Sequence, residues 1–214
     1  MSARALAVVA LLAGTAMAQG LDVDLGAYRK ASGAHVVGVV SGRAYAERPT
    51  PAAADQPLTG TVIVLVPRSA ELVGRLERIK AHARDSQKAF LAAATEIRLA
   101  RESYEKRLWE ASYPDLVRAT TVDPSGAFST ADLPAGDWLL IATRSVFVSR
   151  PSPKATSRER QAFPPSPRLV GYYAVSVWLR ELTVTGGGSE TVELADRNVW
   201  FTGVVEDRML DAGP

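Results

Sequence analysis

The chain has no cysteine among its 214 residues. That excludes disulfide staples and thiolate metal sites. It also excludes a bacterial lipoprotein anchor, which needs a cysteine at the cleavage site. Histidine is nearly as scarce: there are two, His35 and His82. A catalytic zinc centre takes three protein ligands, commonly with two histidines at helical spacing, so both are read as incidental surface residues. An excess of one charge is also lacking. Lys and Arg number 25 against 23 Asp and Glu, a formal net charge of +2, so no basic field argues for nucleic acid. There is no Gly-x-Ser-x-Gly nucleophile turn. No catalytic residue, cofactor site or metal site can be nominated, and a non-enzymatic role is the expectation.

The N-terminus reads as a secretory signal over residues 1–18. Arg4 supplies the positive start, Ala5 to Ala13 is a short apolar run, and Ala16-Met17-Ala18 is a small-x-small cleavage site before Gln19. The run is shorter than the roughly 20 residues a spanning helix needs. The expected product is therefore a periplasmic or secreted bacterial protein, residues 19–214, with no transmembrane segment left after cleavage. At this length one domain is the default.

The organising stretch is Val122 to Ala142. Asp123-Pro124-Ser125-Gly126 sets a tight turn, because proline presets φ and glycine accepts φ > 0. Ala127-Phe128-Ser129 is a short strand, Leu133-Pro134-Ala135-Gly136 a second turn, and Trp138 to Ala142 an apolar run of buried-strand length. Before it, Val36–Tyr45 and Gly60–Pro67 are β-branched strands separated by a Pro- and Ala-rich loop. Leu116–Val122 is a third. After it, Leu169–Thr185, Glu190–Leu194 and Val199–Val205 complete seven or so strands. Gly186-Gly187-Gly188 turns the chain and lacks the Lys-Ser/Thr of a phosphate loop. Residues 19–33 are read as a loosely ordered lead-in.

Between residues 69 and 112 the period changes. Leu72, Leu76, Ile79, Ala83, Ser86, Phe90, Ala93, Ile97, Ala100, Tyr104, Arg107 and Ala111 alternate at spacings of four and three, one stripe of a heptad helix. Ser69 is the expected N-cap, with Glu71 in the first turn. One straight helix would run roughly 65 Å, too far for a return to the sheet by Val117. That favours a hairpin bent within Ala83–Gln87, while the unbroken stripe favours a single projecting helix. The stripe either packs on its own domain or mediates self-association or a partner coiled coil.

These pieces resemble the carboxypeptidase regulatory-like domain, a transthyretin-like (prealbumin) sandwich close to the carbohydrate-binding-domain-like sandwiches. The resemblance rests on Val40-Ser41-Gly42-Arg43-Ala44-Tyr45, Pro57-Leu58-Thr59-Gly60-Thr61-Val62-Ile63-Val64-Leu65, Asp123-Pro124-Ser125-Gly126-Ala127-Phe128 and Leu133-Pro134-Ala135-Gly136-Asp137-Trp138-Leu139-Leu140, in that order. It covers about half of the chain after residue 18. The insertion at 69–112 and Trp138, where tyrosine is usual, depart from the pattern. The resemblance implies a mainly β fold, a Greek-key sandwich with a helical insertion. It implies a binding or scaffolding module and no carboxypeptidase activity.

Three features remain as candidates. Asp123, Asp132 and Asp137 could offer oxygens to calcium, although aspartate at turns is the commoner reading. Trp138 and Trp200 are expected in the core. Trp178 shares a strand face with Ala174, Ser176 and Arg180. Exposed, it would stack on a sugar ring; buried, it lies beneath the helical insertion. The Pro- and Arg-rich loop 149–168, with Arg150, Lys154, Arg158, Arg160 and Arg168, is solvated or meets anionic glycans or lipid headgroups. The expected role is thus a non-enzymatic exported module for binding or assembly at the bacterial envelope. The alternatives are a carbohydrate-binding module using Trp178 and an enzyme with an unrecognised site.

Overall fold

The structure, a computed structural model, describes residues 21–48, 54–151 and 167–210. The expected signal segment and most of the 149–168 loop lie outside the described residues. The strands are β1 (Val37–Ala46), β2 (Gln56–Pro57), β3 (Val62–Pro67), β4 (Arg118–Thr121), β5 (Ala127–Pro134), β6 (Gly136–Ser149), β7 (Pro167–Val184), β8 (Ser189–Ala195) and β9 (Phe201–Leu210). The helices are α1 (Leu25–Gly33), α2 (Ala70–His82) and α3 (Gln87–Glu110). This is a mainly β architecture of two sheets carrying a helical insertion.

The first sheet is built on β1. One edge of β1 pairs with β8 in parallel, Val39 opposite Ser189 through Tyr45 opposite Ala195. The other edge pairs antiparallel with β5 and then β2. The second sheet is antiparallel throughout, in the order β4-β3-β6-β7-β9. Between the two lie Val40, Ala44, Phe128, Leu133, Val192 and Leu194 from the first sheet, meeting Ile63, Leu65, Trp138, Leu140 and Trp178 from the second.

The ribbon at the centre of the sequence forms as its turn residues dictate. Gly126 has φ +85° and its N–H donates to the Asp123 carbonyl. The Asp123 carboxylate accepts from the Ser125 N–H (2.8 Å), the Ser125 hydroxyl (2.7 Å) and the Ala127 N–H (2.9 Å). The Ser125 hydroxyl bond first, then the backbone donors, holds the Asp123 pKa below the ordinary 3.8. A depressed folded pKa stabilises in full above the unfolded value and is lost as pH falls through the folded one. Asp123→Asn should therefore flatten the loss of stability below about pH 4, read from urea midpoints across pH.

The lead-in expectation for residues 19–33 is corrected. Asp24 caps a nine-residue helix, its carboxylate accepting from the Ala27 N–H at 3.2 Å. Leu25 and Tyr28, one turn apart, are its buried anchors. Tyr28 meets Trp138 edge-on at 5.5 Å, and its hydroxyl donates to the Asp137 carbonyl. Burial, with the Asp137 charge second, pushes the Tyr28 pKa up to about 12.

The 69–112 insertion is a hairpin. Ser69 caps α2 by accepting from the Leu72 N–H at 3.0 Å. Ser86 is extended, at φ −159° and ψ 161°, and caps α3 by accepting from the Ala89 N–H at 3.0 Å. The break thus needs neither Gly nor Pro: a serine on the periodic stripe leaves it to act as a cap. Arg107 near the end of α3 pairs with Glu71 at the start of α2 at 3.0 Å, so the helices run antiparallel. Leu72, Leu76, Ala93, Ile97, Ala100 and Tyr104 are buried in the core. The stripe thus packs on its own domain, and the coiled-coil reading of those residues is corrected. Phe90 stays exposed.

Candidate functional site

Side chains alternate along a strand, so each sheet of a sandwich has an inner and an outer face. Trp178 is on the inner face. It is 1% exposed, and its indole N–H donates to the Ala195 carbonyl of β8 at 2.8 Å, across the sandwich. Trp178 is thus buried, as one of the two readings expected, and offers no platform to a sugar; the correction is its place, between the two sheets on the face away from α2 and α3 and not beneath the helical insertion. Trp138 is fully buried as expected, its N–H bound to the Pro134 carbonyl at 2.9 Å. Trp200 departs from expectation. It is only half-buried, donates to Glu77 at 2.7 Å and carries Lys80 at 4.8 Å from its ring centroid.

The outer face of the β3-β6-β7-β9 sheet receives α3. A Cβ at Gly203 would lie 3.2 Å from the Ala94 methyl, which shows how closely helix and sheet approach there. The contact does not extend over the whole face. β3 stops pairing with β6 at Val62 opposite Thr143, whereas β6 and β7 continue together to Ser149 opposite Gly171. A three-stranded ribbon with β9 thus runs past the end of β3. Where helix and sheet diverge, a groove of about 480 Å³ opens. Its trough is formed by Val62, Ile97, Ile141, Val175, Val177 and Val205. Thr143 and Ser145 add hydroxyls, Arg98 and Arg101 line the helix side, and Tyr173 stands at one end.

Tyr173 is paired in register with Phe147, and their ring centroids are 5.3 Å apart, tilted by 58°. The Phe147 ring lies over Gly171, where any Cβ would meet the Phe147 ring at 2.6 Å. The missing side chain at Gly171 leaves the space that the ring occupies. Both rings remain open to solvent, at 44% for Phe147 and 40% for Tyr173. Tyr173 closes one end of the groove, and Phe147 stands against it on the same face just beyond the lining. These are the residues sequence reasoning missed. The available signal was two apolar stretches, Val146-Phe147-Val148 and Tyr172-Tyr173, flanking one long loop.

Four charged residues of α3, Arg98, Arg101, Glu102 and Glu105, lie along one flank. Arg98 donates to Glu102 at 3.1 and 3.2 Å, and Arg101 Nε lies 3.0 Å from Glu105 Oε1. Burial pushes the Glu105 pKa up, opposed by the Arg101 charge. A second hollow, about 580 Å³, sits at the bend of the hairpin among Lys80, Arg84, Phe90, Asp196, Trp200 and Thr202.

The aspartates weighed for calcium do not come together. Asp123 serves its own turn, and the Asp137 carboxylate accepts from the Thr183 hydroxyl at 2.7 Å. Among the described residues no three His, Cys, Asp or Glu side chains converge as metal ligands. His82 lies exposed, 2.8 Å from Asp85, and His35 sits at φ 53° after α1. No helix among the described residues is long and apolar enough to cross a membrane.

No protein-family model matches the chain, and no curated protein does so either. Among the solved structures similar in backbone are two from bacteria. A Pseudomonas aeruginosa protein provisionally described as carbohydrate-binding is 17% identical at a TM-score of 0.39, over 74% of this chain and 88% of that one. The pilus backbone protein of Streptococcus pneumoniae is 13% identical at a TM-score of 0.26, over 72% of this chain and 40% of that one. At such scores neither likeness carries an argument about role.

Proposed function

We propose that the protein is a non-enzymatic, exported binding module of the carboxypeptidase regulatory-like type, working at the bacterial cell envelope. Its ligand surface is the groove between α3 and the outer sheet face. The observation that supports this most is the exposed Phe147–Tyr173 pair at the mouth of a trough of about 480 Å³. Ligand sites are concave, largely apolar, and roughly 300–1,000 Å³ in volume, with a few placed polar groups. Among the described residues the groove lining includes the Thr143 and Ser145 hydroxyls but no histidine or carboxylate to activate them, which favours binding over hydrolysis.

The probe for this reading is 1-anilinonaphthalene-8-sulfonate, added to the purified native protein. Its fluorescence should rise on binding and fall back by about tenfold in affinity for Tyr173→Ala, the usual scale for losing an aromatic anchor. Absent enhancement, or enhancement equal in wild type and Tyr173→Ala, would refute the groove as the ligand surface. A second reading, carbohydrate binding, moves from Trp178 to the Phe147–Tyr173 pair. The exposed, neighbouring ring faces favour it. A glycan array run with wild type and Phe147→Ala decides it: signals lost in the variant support it, and silence removes it.

A further inference from the structure

The trough of the groove differs in chemistry from its mouth. Below Tyr173 it is walled by aliphatic side chains from four strands and one helix, with two hydroxyls at the ribbon end. A sugar pressed into it would leave most of its own hydroxyls without partners, which is costly in a buried site. An aliphatic chain meets no such penalty and gains by leaving water.

The charges are placed with equal bias. Of the four ionised side chains in the α3 cluster, Arg98 and Arg101 line the groove, whereas Glu102 and Glu105 do not. Arg101 is largely buried, with 16% of its side chain exposed. Its Nε lies 3.0 Å from Glu105 Oε1, yet neither atom makes a hydrogen bond. That nitrogen is committed to the Glu105 ion pair, while the guanidinium keeps further N–H donors of the kind that pair with a carboxylate or phosphate.

Accepting the groove as the ligand site, we propose that its ligand is an anionic amphiphile. The aliphatic chain lies in the trough along Ile97, Ile141, Val175 and Val177, and the carboxylate or phosphate head sits on Arg98 and Arg101. The hydroxyls of Thr143 and Ser145 are placed to meet polar atoms near the ribbon end. The exposed rings of Phe147 and Tyr173 cover the part of the chain that leaves the trough.

Calorimetric titration of the purified protein tests this. The probes are n-dodecanoate, n-dodecyl phosphate, dodecyltrimethylammonium and dodecyl maltoside, each below its micelle concentration. The two anions should bind at least about tenfold more tightly than the cation, the scale of a lost charge-assisted hydrogen bond. Arg101→Gln should remove that preference and leave dodecyl maltoside unchanged. Ser145→Trp, at an exposed strand position on the lining, should block all four probes while keeping the wild-type urea midpoint. Preference for dodecanoate identifies a free fatty acid, and preference for dodecyl phosphate a phospholipid-type head; either supports the proposal. Equal affinity for all four heads, no binding of any, or indifference to both variants overturns it. If the naphthalene probe still responds to Tyr173→Ala while no dodecyl probe binds, the ligand class is wrong and the groove stands. If both fail, the groove reading falls with it.

Discussion

Gly42→Ala should cost about 3 kcal/mol or more, the upper end of what overpacking a core does. Gly42 sits on β1 where that strand is paired on both edges, opposite Phe128 of β5 and Val192 of β8. An added Cβ would lie 2.0 Å from the Val192 carbonyl oxygen and 2.6 Å from Phe128 Cζ. The first contact is backbone held in a ladder, and the second is the rim of a buried ring, so neither can give way cheaply. Gly74→Ala is the control. It lies exposed inside α2 with nothing within 4 Å of the new methyl. That change should stabilise by about 0.5–1 kcal/mol, because alanine loses less backbone freedom in a helix. Urea unfolding of both variants gives the comparison. A Gly42→Ala protein as stable as Gly74→Ala would mean that β8 does not lie against β1.

Trp178→Ala should cost about 3–5 kcal/mol, the range for removing a large aromatic from a core. The cavity would open between the two sheets, and the Ala195 carbonyl would lose its indole partner at 2.8 Å. Since whole domains are stable by only about 5–15 kcal/mol, the variant should be close to unfolding at ordinary temperature. Trp178→Phe should recover part of the loss through retained packing. A cost below about 1 kcal/mol, within the range of surface changes, would put Trp178 back in solvent and restore the sugar-platform reading.

The strands were legible because their signals are local. β-branched runs, Asp123-Pro124-Ser125-Gly126 and the triple glycine specify strand and turn with little help from the rest of the chain. The hairpin was legible in outline, since chain closure demanded a return to the sheet. Its bend was hidden in Ser86, a residue that serves equally as a stripe member and as an N-cap. α1 was missed because a helix with only two buried residues and two glycines has almost no periodicity to read. Its stability comes from Tyr28 docking on Trp138, a contact 110 residues away in the chain.

The site was the least legible part. Alternation correctly put Trp178 opposite Val177. It could not say that the Val177 face meets α3 and the Trp178 face meets β8, because that is fixed by how the layers stack. The groove exists because β6 and β7 run past the end of β3. Strand lengths relative to neighbours depend on pairing register, which no single segment encodes. Phe147 and Tyr173 became neighbours through the same register.

The most direct test is amide chemical-shift mapping of the labelled protein titrated with n-dodecanoate. Binding at the groove predicts the largest shifts at Ile97, Thr143, Ser145, Tyr173 and Val205, with Trp200 and Lys80 unmoved. Shifts gathered instead around Lys80, Phe90, Trp200 and Thr202 would place the ligand in the hollow at the hairpin bend and contradict the assignment of the groove.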